Sequence, residues 1–145
     1  MFGEKDWQQF QVVRRMVRDL DMPLRIEGVA TVREPDGLAM SSRNRFLAPA
    51  ERALAPRLAA MMRDVAEALA DGGAPATSVL ADAEAALRRD GFRVDYLALV
   101  EAESLRPLAA ADRPARLIAA ARLGTVRLLD NMPVPLISTC VHAGA

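Results

Sequence analysis

Val94-Asp95-Tyr96-Leu97-Ala98-Leu99-Val100, Arg116-Leu117-Ile118-Ala119-Ala120-Ala121 and Thr125-Val126-Arg127-Leu128-Leu129 are three short runs of β-favouring residues. They are separated by Arg106-Pro107, the Asp112-Arg113-Pro114 turn and Gly124. Runs punctuated this way predict a small antiparallel sheet. Upstream, Leu54, Leu58, Met61, Val65 and Leu69 recur at helical spacing on one face. That helix starts near Pro49, which suits a first turn although Ala48 is a poor cap, and Asp71-Gly72-Gly73 ends it. Thr77 or Ser78 caps a second helix with Leu80, Ala83 and Leu87 inward, and it stops at Gly91 after the cations Arg88 and Arg89. Two helices and a sheet over residues 46–134 make a complete small domain. Met132 onward reads as fraying chain, with 135–145 a flexible tail outside that domain.

The first 45 residues do not close on themselves. Phe10, Val13, Met16, Val17 and Leu20 mark one face of a helix, Pro23 ends it, and Leu24 to Val32 reads as a strand of about six residues. Glu34-Pro35-Asp36-Gly37 is a turn, because Pro sets one dihedral and Gly permits positive φ. The loop Met40-Ser41-Ser42-Arg43-Asn44 follows. One helix and one strand cannot bury both faces of a parallel sheet, so residues 1–45 read as the C-terminal end of a larger α/β domain. The expected class is therefore α+β: the end of a Rossmann-like domain, then a small domain of two helices and a short antiparallel sheet.

Of the 145 residues, 52% are hydrophobic and 26% charged, enough apolar material for a packed core. Nineteen basic residues balance nineteen acidic ones, which argues against a nucleic-acid or membrane-surface partner. A single cysteine, Cys140, closes no intrachain disulfide, and a reducing, cytoplasmic setting fits. No run of apolar residues reaches membrane-spanning length, and the N-terminus lacks the order of a signal peptide. Eighteen of the nineteen basic residues are arginine; Lys5 is the one lysine, retained where a compact ammonium on a flexible stem is useful.

Two motifs carry chemistry. Gly3-Glu4-Lys5-Asp6 precedes a helix, where free backbone N–H groups and the helix dipole favour an anion. Gln9 shares a face with Lys5 if the helix begins by residue 5 or 6. The plain alternative is a charged helix start. Met40 to Asn44 supplies two hydroxyls, backbone donors and the Arg43 guanidinium, a set that can hold phosphate oxygens or serve only as a connection.

Phe2-Gly3-Glu4-Lys5-Asp6-Trp7-Gln8-Gln9, Gly28 to Glu34 and Asp36 to Asn44 resemble, in order and spacing, the pantothenate synthetase (pantoate–β-alanine ligase) family. Asp95-Tyr96-Leu97, Ala120 to Gly124 and Leu129-Asp130-Asn131 are similar to that family's C-terminal domain, and the likeness runs to about residue 134. The resemblance implies ATP-dependent condensation of pantoate with β-alanine through a pantoyl adenylate, in coenzyme A biosynthesis. ATP enters as its Mg2+ complex, with no prosthetic group and no protein metal site. It further implies that Gly3, Glu4, Lys5 and Asp6 touch ATP, Val32 the adenine region and Gln9 pantoate. Met40, Ser41, Ser42 and Arg43 then form the signature loop, with Lys5, Ser41, Ser42 and Arg43 catalytic. The family's histidine motif lies upstream of Gly3, and His142, the only histidine, does not replace it. The chain thus reads as the C-terminal portion of a homodimeric enzyme, inactive or nearly so without the missing N-terminal domain. Ala30 and Trp7 depart from commoner family residues.

Other constellations are weaker. Ser41, His142 and Asp130 supply a nominal triad that nothing brings together, and Cys140 with His142 lacks the further ligands of a zinc site. Arg14-Arg15 and Arg88-Arg89 read as solvated faces or helix-end charges rather than a nucleic-acid patch, given the zero net charge. The rival reading is a non-enzymatic interaction module, whose sign is an exposed apolar patch on the 50–70 helix.

Overall fold

A computed structural model describes residues 1–136 except Gly73. The order is β1 (Phe2–Gly3), a 3-10 turn (Glu4–Asp6), α1 (Trp7–Asp19), β2 (Gly28–Val29), a 3-10 helix (Ser42–Phe46), α2 (Pro49–Leu54), α3 (Pro56–Asp71), α4 (Ala76–Arg89), β3 (Arg93–Glu101), β4 (Ala115–Leu123) and β5 (Val126–Val134). The class is α+β, as expected from the sequence. β1 and β2 pair in parallel, and β3-β4-β5 form an antiparallel sheet in that order.

The strand expected over 24–32 is confined to Gly28–Val29. Its ladder is Phe2↔Gly28 and Gly3↔Val29, because β1 offers two residues before the chain winds into the 3-10 turn. Gly28 leaves room for its neighbours: a Cβ there would lie 2.7 Å from Glu4 Oε1 and 3.1 Å from Phe10 Cζ, so the Glu4 side chain would have to move. The face of α1 also differs from expectation. Phe10 and Val17 are buried, but Met16 and Leu20 are exposed, and Trp7 and Gln11 take their place inside. The helix meets the rest of the described chain on its N-terminal side, where Trp7 Nε1 donates to the Ala102 carbonyl at 2.8 Å.

The helix expected over residues 49–71 is two, α2 and α3, because Pro56 has no N–H to continue the ladder. Ala48 has no side-chain acceptor, and its backbone N–H donates instead to Glu51 Oε2 at 2.9 Å, half of a capping box. The inward face of α3 uses Met62, which is fully buried, rather than the partly buried Met61. Residues 58, 62, 65 and 69 share that face at four-, three- and four-residue steps. Neither Thr77 nor Ser78 caps α4: the helix begins at Ala76, and Ser78 Oγ donates to the Pro75 carbonyl. Gly91, at φ +96°, follows α4 where the sequence placed a stop.

β5 runs on to Val134, past the point where fraying was expected, because β4 pairs with it over all nine residues. Pro133 is accommodated since β5 is an edge strand. The core lies between α3, α4 and one face of the sheet, with Leu58, Met62, Leu87, Leu99 and Leu117 fully buried. Leu38 is the only buried residue from 1–45 in it. No described helix is long and apolar enough to cross a membrane. The expected tail from 137, with Cys140 and His142, lies outside the described residues, as does Gly73.

Candidate functional site

The turn at residues 34–37 forms as read. Gly37 sits at φ +91° and donates to the Glu34 carbonyl at 2.8 Å, and the chain doubles back with Arg33 bridged to Ala39. The Met40 N–H reaches the Val32 carbonyl at 2.9 Å, so these two sequence-predicted positions are neighbours. The loop then enters the Ser42–Phe46 3-10 helix, with Ser41 as its N-cap, Oγ accepting from the Arg43 N–H at 3.3 Å. Buried Asn44 closes the loop onto the hairpin, its Nδ2 donating to the Ala39 carbonyl and to Glu34 Oε1.

Lys5 brings the two motifs together. Its Nζ donates to the Met40 carbonyl at 3.0 Å across 35 residues of sequence. Lys5, Ser41 and Arg43 border one small cavity with Asn44, Arg127 and Asp130. Burial holds the Lys5 ammonium below the usual lysine range; Asp6 and Asp130 oppose that shift, and Arg43 adds to it. Two cations close enough to disfavour each other, one of them partly stripped of water, give this corner of the molecule a positive potential that attracts anions.

Adjacent residues of β5 hold both walls of this cavity. Asn131 Nδ2 donates to the Glu4 and Lys5 carbonyls at 2.8 and 2.7 Å, and its Oδ1 accepts from Arg116 Nε at 2.6 Å. Arg116 also reaches Glu4 Oε2 at 3.2 Å and lies 3.4 Å over the Trp7 ring. Asp130, 4% exposed, takes both arms of the Arg33 guanidinium at 2.7 and 2.8 Å, while Arg33 braces the Gly37 carbonyl. A cleft of about 600 Å³, lined by Ala30, Thr31, Arg33, Arg116 and Asn131 among others, opens beside these contacts.

The sequence-predicted residues do not all converge. α1 starts at Trp7, leaving Lys5 in the preceding 3-10 turn, so the condition that would put Gln9 on its face is not met. Gln9 is exposed, and Gln8, not Gln9, borders the second cavity that Lys5 lines. Glu4 is spent on Arg116, Ser42 is exposed outside the Lys5 cavity, and Asp6 sits beside Lys5 on the surface. Gly3 is exposed at the end of β1, with nothing in reach of an added Cβ. Reading the residues one by one included Asn44 in the loop motif but did not single out Arg33, Arg116, Arg127, Asp130 or Asn131 as members of this site. The available signal was the pair Asp130-Asn131 between the apolar Leu128-Leu129 and Met132, since buried polar groups require partners. No group of metal-binding side chains occurs among the described residues.

A family model described as pantoate-beta-alanine ligase matches residues 1–133. The pantothenate synthetase of Acidiphilium cryptum is 59% identical over 133 residues, covering 92% of this chain and 48% of the relative. That of Paramagnetospirillum magneticum is 51% identical, covering 92% and 47%. The crystal structure of the Thermus thermophilus enzyme superposes with a TM-score of 0.83 at 47% identity, over 92% of this chain and 49% of that one. The Francisella tularensis ligase, solved with beta-gamma ATP and beta-alanine, gives 0.66 at 26% identity, over 91% and 42%. The chain thus spans about half the length of the relatives it matches.

Proposed function

We propose a role for this chain from one premise: it belongs to the pantoate–β-alanine ligase family, and it corresponds to the C-terminal half of its relatives. In that reading residues 1–45 complete a nucleotide-binding domain and residues 46–134 form the domain that closes over it. The reaction is ATP-dependent formation of pantothenate in the cytoplasm. A pantoate carboxylate oxygen attacks the α-phosphorus of ATP, the bond to the β-phosphate bridging oxygen breaks, and pyrophosphate leaves. The β-alanine amine then attacks the acyl carbon of the pantoyl adenylate, AMP departs and the nitrogen loses a proton.

The observation that supports this most is the meeting of Lys5 with Met40 beside Ser41 and Arg43. Negative charge grows on the α-phosphoryl oxygens and the leaving pyrophosphate, and two preorganised cations stabilise it more in the transition state than in the ground state. Mg2+ arrives with ATP as part of the substrate. Pantoate near Gln9, adenine near Val32 and a dimeric whole enzyme extend the same reading. The exposed apolar side chains on α1 and 22–32, including Val12, Leu20 and Leu24, suit packing against an N-terminal half. The rival, a non-enzymatic interaction module, called for an apolar patch on the 50–70 helix, whose large apolar side chains are instead buried or half-buried.

The test is a chimera in which residues 1–133 replace the matching half of the Acidiphilium cryptum enzyme. It should form pantothenate, and Lys5→Ala in it should lower turnover by about a hundred- to a thousandfold, some 3–4 kcal/mol, with the fold intact. Near-normal turnover in that variant would sink the role of Lys5.

A further inference from the structure

The register of the sheet puts Arg93 opposite Arg122, and Arg122 opposite Arg127. Three guanidiniums therefore stand in one row across β3, β4 and β5, on one face of the sheet. Like charges directly opposite each other destabilise a sheet, so such a row calls for a counter-charge. The chain supplies only part of it. Asp95 is the extra residue where the β3–β4 register shifts between Val94 and Tyr96, and a bulge re-aims a side chain. Its carboxylate accepts from Arg127 Nε at 2.6 Å and lies 3.6 Å from Arg122 Nε. Arg122 Nε is sealed from solvent and has no hydrogen-bond partner among the described residues. One carboxylate among three guanidiniums leaves two positive charges in excess.

Arg127 ties this row to the site. It borders the same small cavity as Lys5, Ser41 and Arg43, while the ion pair to Asp95 engages its Nε and leaves its terminal nitrogens unpaired in the described structure. A guanidinium fixed along one edge with its other donors free is suited to a phosphate. We propose that Arg127, backed by Arg122 and Arg93, binds a pyrophosphate group: the β- and γ-phosphates of bound ATP and the pyrophosphate that leaves. The inference rests on the reading of Lys5 and Met40–Arg43 as the nucleotide site and extends that site onto the sheet. Arg127 would then hold the departing group while Lys5 and Arg43 face the reacting phosphate.

The test follows arginine Nε resonances of this chain by NMR during separate titrations with magnesium pyrophosphate, Mg-ATP and AMP. Arg127 and Arg122 should move with Mg-ATP and stay still with AMP. Movement with pyrophosphate as well supports retention of the free leaving group, whereas movement with ATP alone supports contact only with the tail of a bound nucleotide. Arg127→Gln should weaken polyphosphate binding about tenfold, as expected for loss of a charge-assisted hydrogen bond, and leave AMP affinity within about twofold. Equal weakening for AMP, or an Arg127 signal that ignores polyphosphates, overturns the proposal. If the amides of 3–6 and 40–44 still respond, the nucleotide reading survives that failure; if they too are silent, both fall.

Discussion

Residues 46–136 and residues 1–45 are held by different forces. The first region owns nearly all of the core: α3 and α4 lay their apolar faces on a sheet of nine-residue strands, and the largest fully buried side chains all belong to it. The second contributes Leu38 to that core and is otherwise fastened mainly by polar contacts, among them Asp130 to Arg33, Asn131 to the 4–5 backbone, Arg116 to Glu4 and Trp7, Trp7 to the Ala102 carbonyl, and Arg52 of α2 to Glu34 and Asp36. Burial is non-directional and makes a domain, whereas hydrogen-bonded charge pairs fix distance and angle. The chain uses the second kind of force where Lys5 must meet the Met40–Arg43 loop.

The sharpest way to break this contrast is Asp130→Ala, which leaves the Arg33 guanidinium without its buried partner, at a cost of about 3–5 kcal/mol. Trp7 is the only tryptophan, so its fluorescence reports the docking of 1–45 while far-ultraviolet circular dichroism reports the helices and sheet. In urea the fluorescence transition should move to lower denaturant and separate from the dichroism transition. Coincident transitions would mean that the two regions are one cooperative unit. Leu117→Ala removes side-chain volume from the centre of the core, costs about 2–5 kcal/mol, and should shift both transitions together.

A smaller effect follows from Lys5. Its folded-state pKa is lowered by burial, so between that value and 10.5 the unfolded chain holds more proton than the folded one, and stability from this group rises with pH. Anion affinity should fall over the same interval, because the charge is lost. Nucleotide titrations above neutral pH should show that loss begin below the ordinary lysine range, and Lys5→Met should flatten it; affinity that holds up to pH 10.5 would contradict the burial argument. Smallest is Leu20→Ser, on the exposed side of α1, which should change the stability read from urea unfolding by no more than about 0.5 kcal/mol. A larger destabilisation would show that this face is covered.

The α+β class, the turn at 34–37 and the pairing of strands after residue 92 were legible because each rests on local chemistry: turn residues, short β-favouring runs, and apolar spacing that repeats within a few residues. Even there, local spacing misread Met61 for Met62 and passed over the break at Pro56. The motifs at 3–6 and 40–44 were readable as anion-friendly compositions, and the resemblance supplied the roles proposed for them. Their supports were not, because Asp130 and Asn131 look ordinary until β5 carries them against residues about a hundred or more positions away.

By itself, then, the sequence determined the order of helices, turns and strands and which small polar motifs have an anion-friendly composition, since those properties are set by neighbours a turn or a strand apart. Only the tertiary structure decided that Lys5 touches Met40, that β5 grips both motifs, and that three arginines fall into one row beside them. Those relations depend on strand register and on which buried polar groups find partners, and both are settled when distant segments pack.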